Sequence, residues 1–198
     1  MVRSHLLDAM SPVPTLEHNL VAAEFLIDVE VALRGHDSVN IVQVEPELEL
    51  WAKTRQTPSG GRRTPFIVSD GAFTLQLPGA ATAATFHLEV VRADAKGGNK
   101  NVLRKMARYA ELNHKGYFRE VYGHEHVRAV LWLTTSPERA THLRELAEGL
   151  THGAGLHWFG AFTSRDAGGI PETSLSPETV LGPMWEDAQQ NRRSLVAP

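Results

Sequence analysis

Cysteine is absent from this sequence, which excludes disulfides, thiolate zinc sites and cysteine nucleophiles. Any metal must therefore be held by oxygen or imidazole ligands. Long apolar runs are also absent. No stretch approaches the roughly 20 residues needed to span a bilayer, and the N-terminus lacks the apolar segment of a signal peptide. These absences predict a cytoplasmic protein that does not associate with a membrane.

Two kinds of catalytic motif are missing as well. The sequence contains neither G-x-x-x-x-G-K-[ST] nor G-x-G-x-x-G, so it predicts no nucleotide cofactor. It also lacks the G-x-S-x-G elbow that marks many serine hydrolases. Nucleotide-driven and serine-based chemistry therefore have no support in the sequence.

The overall charge is close to balanced, but the positive charges are unevenly distributed. A net charge of −3 argues against a protein that coats nucleic acid by bulk electrostatics. Between Lys96 and Arg119, however, seven cations stand against a single acid, Glu111. This segment is compatible with a phosphate-facing patch and equally with a solvated helix face.

The periodicity of apolar residues predicts helices that alternate with strands. Thr15 is predicted to cap a first helix that ends near Gly35, and its recurring apolar residues predict a packing face of Leu20, Ala23, Ile27 and Val31. The stretch Glu47–Trp51 is compatible with a helix or a strand. The other predicted elements are strands at 40–44, 66–69, 72–77, 85–91, 127–135 and 156–163, and helices at 100–113 and 137–149.

This order of elements predicts an α/β protein with a mixed central sheet flanked by helices. With 198 residues and 42% hydrophobic content, the chain is expected to form a single domain over residues 1–198. The tail from about 164 to 198 is rich in Gly, Pro, Ser and Glu, and we expect it to be partly ordered. Its predicted anchor comprises Val180, Leu181, Met184 and Trp185.

Two carboxylates lie on what read as consecutive apolar strands. Asp70 follows Phe66–Ser69, and Glu89 lies within Thr85–Val91. A carboxylate inside an apolar strand is costly unless it is paired or bound to a cation, so Asp70 and Glu89 together predict a site for one Mg²⁺. His87 shares a strand face with Glu89 and is either a partner of this site or a core histidine.

The remaining histidine and tryptophan patterns favour structural interpretations. In His124-Glu125-His126, strand alternation would place the two histidines on one face and Glu125 on the other, so a polar strand entrance is favoured over a metal site. The tryptophans are spread along the chain rather than interleaved with cations, which favours core packing over base stacking. They are Trp51, Trp132, Trp158 and Trp185.

The helix that follows Glu89 carries further candidate residues. Lys105 and Tyr109 fall at the boundary between its polar and apolar faces. From this boundary, Lys105 can reach a phosphate or a metal-bound water, or it can snorkel as a surface lysine. Arg104 and Arg108 are expected to face solvent or a bound phosphate backbone.

Four sequence blocks follow one another along the chain. They are Leu16–Ala22, Glu47–Trp51, Ser69–Phe73, and Leu88–Val91 followed by Lys105 and Tyr109. Together these blocks resemble the replication-relaxation family of plasmids and mobile elements, whose core looks like the PD-(D/E)xK nuclease fold. Their order along the chain matches the αβββαβ core of such nucleases, so the resemblance implies a restriction-endonuclease-like sheet.

The resemblance also implies a function on DNA. Asp70, Glu89 and the backbone carbonyl of Val90 would ligate Mg²⁺ or Mn²⁺, which activates water and stabilises charge on the scissile phosphate. Two positions depart from the motif: Ser69 replaces its proline, and Val91 stands where its lysine belongs. Within the superfamily the lysine can come from the following helix, and here that residue is Lys105.

The expected function is therefore a divalent-metal-dependent nuclease of the replication-relaxation type, with Asp70, Glu89 and Lys105 as catalytic residues. The predicted DNA contacts are Lys100, Arg104, Arg108 and Tyr109. A homodimer is compatible with a nuclease that cuts two strands. The alternative is a catalytically inactive module with the nuclease fold that binds DNA or a partner, as the missing lysine at position 91 would permit.

Overall fold

A computed structural model of the chain describes residues 13–56, 67–91, 98–162, 165–167, 170–172 and 177–197. The helices are α1 (Val13–Leu33), α2 (Glu47–Gln56), α3 (Gly98–His114), α4 (Tyr117–Tyr122), α5 (Pro137–Glu148) and α6 (Pro177–Leu181). The strands are β1 (Asn40–Pro46), β2 (Gly71–Gln76), β3 (Ala84–Val91), β4 (Val127–Thr134), β5 (His157–Ala161), β6 (Arg165–Ala167), β7 (Ile170–Glu172), β8 (Trp185–Asp187) and β9 (Arg192–Arg193).

Seven strands form one mixed sheet in the order β1-β2-β3-β4-β5-β8-β9. The first three form an antiparallel meander, and β4 and β5 then add in parallel. Parallel neighbours require crossover connections, which α3 with α4 and then α5 provide. The predicted α/β class, with a mixed sheet flanked by helices, is confirmed. None of the helices in the described ranges is long and apolar enough to cross a membrane.

Apolar side chains cover both faces of the sheet. On one face, residues of α1 and α6 pack with strand residues such as Phe73 and Phe86. On the other face, residues of α3, α4 and α5 pack around Trp132 and Phe159. Because helices cover both faces, all eight residues of β3 are buried, including the polar ones. A carboxylate on β3 is therefore placed in the interior.

The predicted packing face of α1 is wrong. Leu20, Ile27 and Val31 are 42%, 57% and 50% exposed, and Ala23 is exposed as well. The residues that contact the sheet are Val21, Ala22, Phe25, Leu26, Val29, Ala32 and Leu33. The helix is apolar on nearly all sides, so periodicity alone could not select the buried side. The helix also begins at Val13, so Thr15 lies inside it rather than at its cap.

The ambiguous stretch Glu47–Trp51 belongs to a helix, α2. Acids in its first turn and bases in its last turn suit the helix dipole. Residues 67–69, predicted to be part of a strand, have no regular structure, and Phe66 lies outside the described residues. In the tail, the predicted anchor residues Val180, Leu181 and Trp185 are buried, and β8 and β9 extend the sheet.

Gly160 lies where the C-terminal tail packs against the sheet, and its substitution tests that packing. A Cβ added there would lie 2.9 Å from two ring carbons of Trp185 and 3.0 Å from Cε of Met184. Trp185 is fully buried in a close-packed core. We therefore expect Gly160→Ala to lower the free energy of unfolding by about 1–3 kcal/mol, measured by urea denaturation.

Gly35→Ala is the control for this experiment, because nothing lies within 4 Å of the Cβ it would add. We expect its free energy of unfolding to stay within about 0.5 kcal/mol of the parent or to rise slightly. Equal stability of the two variants would show that the tail does not pack against Gly160.

Candidate active site

Asp70 lies directly before β2, where the pairing of β2 with β3 begins. Its backbone N–H donates to the carbonyl of Leu88 at 2.9 Å, and its Oδ2 accepts from the N–H of Val90 at 2.7 Å. These two bonds hold Asp70 against the end of β3, although the preceding residues 67–69 are not part of a strand. The side chain is therefore held beside the strand that carries Glu89.

Glu89 is buried on the face of β3 that α3 covers, with only 3% of the residue exposed. Lys105 Nζ lies 2.5 Å from its Oε2, and the Tyr109 hydroxyl donates to its Oε1. Lys105 and Tyr109 are four residues apart on α3, so both point to the same side of the helix. The structure thus brings Asp70, Glu89 and Lys105 to one place, with Tyr109 beneath them.

The burial of Glu89 changes its protonation. Burial, helped by the neighbouring charge of Asp70, raises the pKa of Glu89 to about 7, although Lys105 and Tyr109 act in the opposite direction. Burial also raises the pKa of Tyr109 well above its ordinary value, so its hydroxyl remains a donor. Burial alone would lower the pKa of Lys105, but Glu89 and Asp70 raise it, and the side chain stays cationic.

His18 joins the site from the opposite layer of the fold. Its Nε2 lies 3.0 Å from Oδ1 of Asp70. The hydrogen bond to Asp70 raises the pKa of His18 against the opposing effect of burial. The sequence pattern assigned no role to His18, although it lies in the block Leu16–Ala22. Its helix carries other polar residues, such as Glu17 and Asn19, so nothing in the local sequence singled out His18.

The oxygen donors around Asp70 fit a hard divalent cation that keeps much of its water. The N–H of Val90 donates to Asp70, and the carbonyl of Val90 lies on the same side of β3 as this N–H. Two carboxylates each retain lone pairs beyond the bonds described, and Mg²⁺ commonly uses only one or two protein carboxylates. No three His, Asp or Glu side chains among the described residues form a closed metal cage.

A groove of about 770 Å³ opens over Lys105. Trp51 lines it and is 43% exposed, with its indole N–H donating to Glu47 Oε1 at 3.2 Å. The prediction that Trp51 is a core anchor is therefore wrong. The same prediction is confirmed for Trp132, Trp158 and Trp185, which are buried. Lys105 both lines the groove and contacts Glu89, so it connects the groove to the buried carboxylate.

The predicted DNA contacts have different surroundings. Arg104 and Arg108 line the groove, and Arg108 is also paired with Glu111. Lys100 is exposed at the start of α3 but does not line the groove. Tyr109 is fully buried, because Phe118 of α4 stacks on its ring at a centroid distance of 5.9 Å. Its predicted contact with DNA is corrected to a bond with Glu89. Lys96, the first residue of the basic segment, lies outside the described residues.

The histidines also depart from the strand pattern. His124 is buried and His126 exposed, because both precede β4 and do not follow its alternation. His124 bonds to His87, which in turn bonds to Ser69. His87 is therefore linked through Ser69 to the segment that carries Asp70.

Comparison with known proteins adds no assignment. No protein-family model matches the chain, and no curated protein matches it. Any function proposed for the chain therefore rests on the chemistry of Asp70, Glu89 and the groove over Lys105.

The raised pKa of Glu89 predicts a specific dependence of stability on pH. Between the ordinary carboxyl pKa of 4.5 and about 7, the folded state binds more protons than the unfolded state, so stability falls as pH rises through this window. Glu89→Gln removes this titration. We therefore expect the unfolding free energy of Glu89→Gln, relative to the parent, to rise by about 3 kcal/mol between pH 5 and pH 8.

Urea denaturation in the presence of a chelator measures this difference without competition from divalent cations. Glu49→Gln is the control, because Glu49 is exposed on α2, and its difference from the parent should be the same at both pH values. If Glu89→Gln and Glu49→Gln give the same pH dependence, Glu89 does not titrate near neutrality.

Proposed function

We propose that this chain is a DNA-acting protein of the replication-relaxation type that cleaves phosphodiester bonds with a divalent cation. The observation that carries the proposal is the arrangement around Glu89. A buried carboxylate on β3 is paired with Lys105 from the following helix, and Asp70 is docked on the same strand at Val90. This matches the set of acid, acid and lysine that the resemblance to PD-(D/E)xK nucleases implies.

The order of the elements supports the same proposal. Helix α1 is followed by the antiparallel strands β1, β2 and β3, then by α3 and the parallel strand β4. This is the αβββαβ order that the resemblance implies, with α2 and α4 as additions. Asp70 lies directly before the second of these strands and Glu89 lies within the third, which supports their assignment as the two acids of the motif.

The residues of the site have distinct roles in this proposal. Asp70, Glu89 and the carbonyl of Val90 would hold Mg²⁺ or Mn²⁺, which supplies an activated water and stabilises charge on the phosphate. Lys105 contacts Glu89 and faces the groove, so its ammonium can stabilise charge on a phosphate bound there. Tyr109 holds Glu89 from below by donating to Oε1.

The lining of the groove supports DNA as the ligand. Arg104 and Arg108 supply positive charge for backbone phosphates, and the acids of the lining, Glu47 and Glu111, are bonded to Trp51 and Arg108. Trp51 presents an exposed ring on which a base can stack, a contact that does not depend on sequence. Charge and stacking in the groove that Lys105 lines would hold a strand close to the buried carboxylate that Lys105 contacts.

A second candidate function is a DNA-binding module that has lost the chemistry. Val91 occupies the position of the motif's lysine, and both oxygens of Glu89 already accept hydrogen bonds, from Lys105 and Tyr109. In this case the groove would bind DNA while the carboxylates serve only the interior of the fold. Cleavage assays separate the two functions.

Cleavage of supercoiled and linear DNA with Mg²⁺ or Mn²⁺ tests the proposed reaction. We expect the parent to cut, and Asp70→Asn and Glu89→Gln each to lose the cation site and at least about 100-fold of the rate. Lys105→Met should lose about 100-fold, because a charge at the phosphate is removed. Lys115→Met, on an exposed lysine after the end of α3, should leave the rate unchanged.

Each alternative result has a defined meaning. Salt-dependent DNA binding without cleavage by any of these proteins would support the inactive module. Equal cleavage by parent and variants would point to a contaminating nuclease and overturn the assignment of Asp70 and Glu89.

The role of Trp51 is tested by binding to a labelled single-stranded oligonucleotide in the presence of a chelator. Loss of one base stack costs about 1–3 kcal/mol, so we expect Trp51→Ala to weaken binding roughly 5- to 100-fold. Trp51→Phe should retain most of the affinity. The control is Leu48→Ala, which truncates an 81% exposed residue of the same helix that does not line the groove. Equal effects of the two alanine substitutions would exclude stacking on Trp51.

A further inference from the structure

A continuous line of buried polar side chains lies beside the candidate active site. Ser69 Oγ is 2.9 Å from His87 Nδ1, and His87 Nε2 is 3.1 Å from His124 Nδ1. The line ends where His124 Nε2 lies 2.6 Å from Glu45 Oε2. All four residues are at most 5% exposed. We call these four residues, Ser69, His87, His124 and Glu45, the relay.

The relay connects four separate parts of the fold. Glu45 lies on β1 and His87 on β3, while His124 precedes β4 and Ser69 precedes β2. A buried polar group destabilises the fold unless it is hydrogen-bonded. Apolar side chains at these four positions would fill the core without that requirement. Here each member supplies the hydrogen bond that its neighbour needs. An uninterrupted polar line of this kind indicates a role beyond filling space.

The charge at the end of the relay sets the direction of its last hydrogen bond. Burial alone would raise the pKa of Glu45, but hydrogen bonds from His124 and Lys53 lower it, so this carboxylate is ionised and only accepts. His124 Nε2 must therefore donate to it. Lys53 forms an ion pair with the other oxygen of Glu45.

The consequence for the site lies in the residue that follows Ser69. Residues 67–69 have no ladder of hydrogen bonds, so the placement of Asp70 depends on a few specific ties. One is the bond from the Tyr122 hydroxyl to the carbonyl of Ile67, and another is the bond from Ser69 to His87. His87 in turn is two residues from Glu89 on the same strand face. The bond between Ser69 and His87 therefore ties the segment that carries Asp70 to the strand that carries Glu89.

We propose that Ser69, His87, His124 and Glu45 are positioning residues that hold Asp70 in place beside Glu89. None of the four lines the groove, so they act through Asp70 rather than on a substrate. The catalytic consequence rests on the proposed nuclease function, whereas the structural one can be measured without any cleavage.

The N–H of Val90 provides a measurement that is independent of activity, because it donates to Asp70 Oδ2 at 2.7 Å. We expect Ser69→Ala and His124→Phe to shift the amide proton resonance of Val90, as the bond to Asp70 loosens. In the parent, nitrogen chemical shifts of the His124 ring should show a proton on Nε2, which donates to Glu45.

The matched control is Thr85→Val. Thr85 lies on the same strand face as His87, and its hydroxyl is bonded to that of Thr74 at 2.9 Å, outside the relay. This variant also breaks a buried hydrogen bond of β3, so it reports any general loss of stability. It should leave the amide resonance of Val90 where it is in the parent.

In the cleavage assay, displacement of Asp70 should lower kcat with little change in KM. We expect a loss of about 10- to 100-fold in kcat for Ser69→Ala and His124→Phe. The amide of a glutamine can both donate and accept, so His124→Gln should recover a large part of the rate. Thr85→Val should keep the kcat of the parent.

The outcomes separate failure of this proposal from failure of the proposed function. If the parent does not cleave DNA but the relay variants shift the Val90 resonance, the nuclease function fails and the positioning role stands. If Ser69→Ala and Thr85→Val are indistinguishable in that resonance, or if Nε2 of His124 carries no proton in the parent, the positioning role is overturned whether or not DNA is cut.

Discussion

The burial of Glu89 is the constraint on which the rest of this structure depends. Helices cover both faces of the sheet, so β3 has no exposed residue on which a carboxylate could be solvated. Its charge is met instead by Lys105 and Tyr109, one helical turn apart on α3. The position of α3 over the sheet is therefore set by electrostatics as well as by apolar packing. Lys105 and Tyr109 do not fully offset the burial of Glu89, so the pKa of Glu89 remains raised.

Asp70 is the point where the layers of the fold meet. His18 reaches it from α1 on one face of the sheet, and Val90 binds it from the end of β3. The neighbouring Ser69 connects it to the histidines on the other face. Groups from both faces of the sheet can reach Asp70 because it lies just before β2 begins. At that point the side chain is not yet held on one face of the sheet by strand pairing. A metal site, if formed, would draw on this edge rather than on the interior of the sheet.

Several positive charges of α3 and of Lys115, which follows it, are neutralised by nearby acids. Lys105 is paired with Glu89, and Arg108 and Lys115 are both paired with Glu111. Binding of DNA would then depend on the shape and composition of the groove more than on a diffuse field. This agrees with the small net charge of the chain. In the proposed interaction, the uncharged Trp51 would contribute by stacking on a base in the groove.

The sequence by itself determined the α/β class and most of the strands and helices, because these follow from local spacing and residue type. It also singled out Glu89 as an acid within an apolar strand and Asp70 as an acid beside one, although the strand predicted before Asp70 is irregular. It could not select the buried side of α1, which is apolar nearly all round, nor foresee that α4 would enclose Tyr109. Only the tertiary structure brought His18 to Asp70 and His124 to Glu45, because contacts between distant segments depend on how the elements pack.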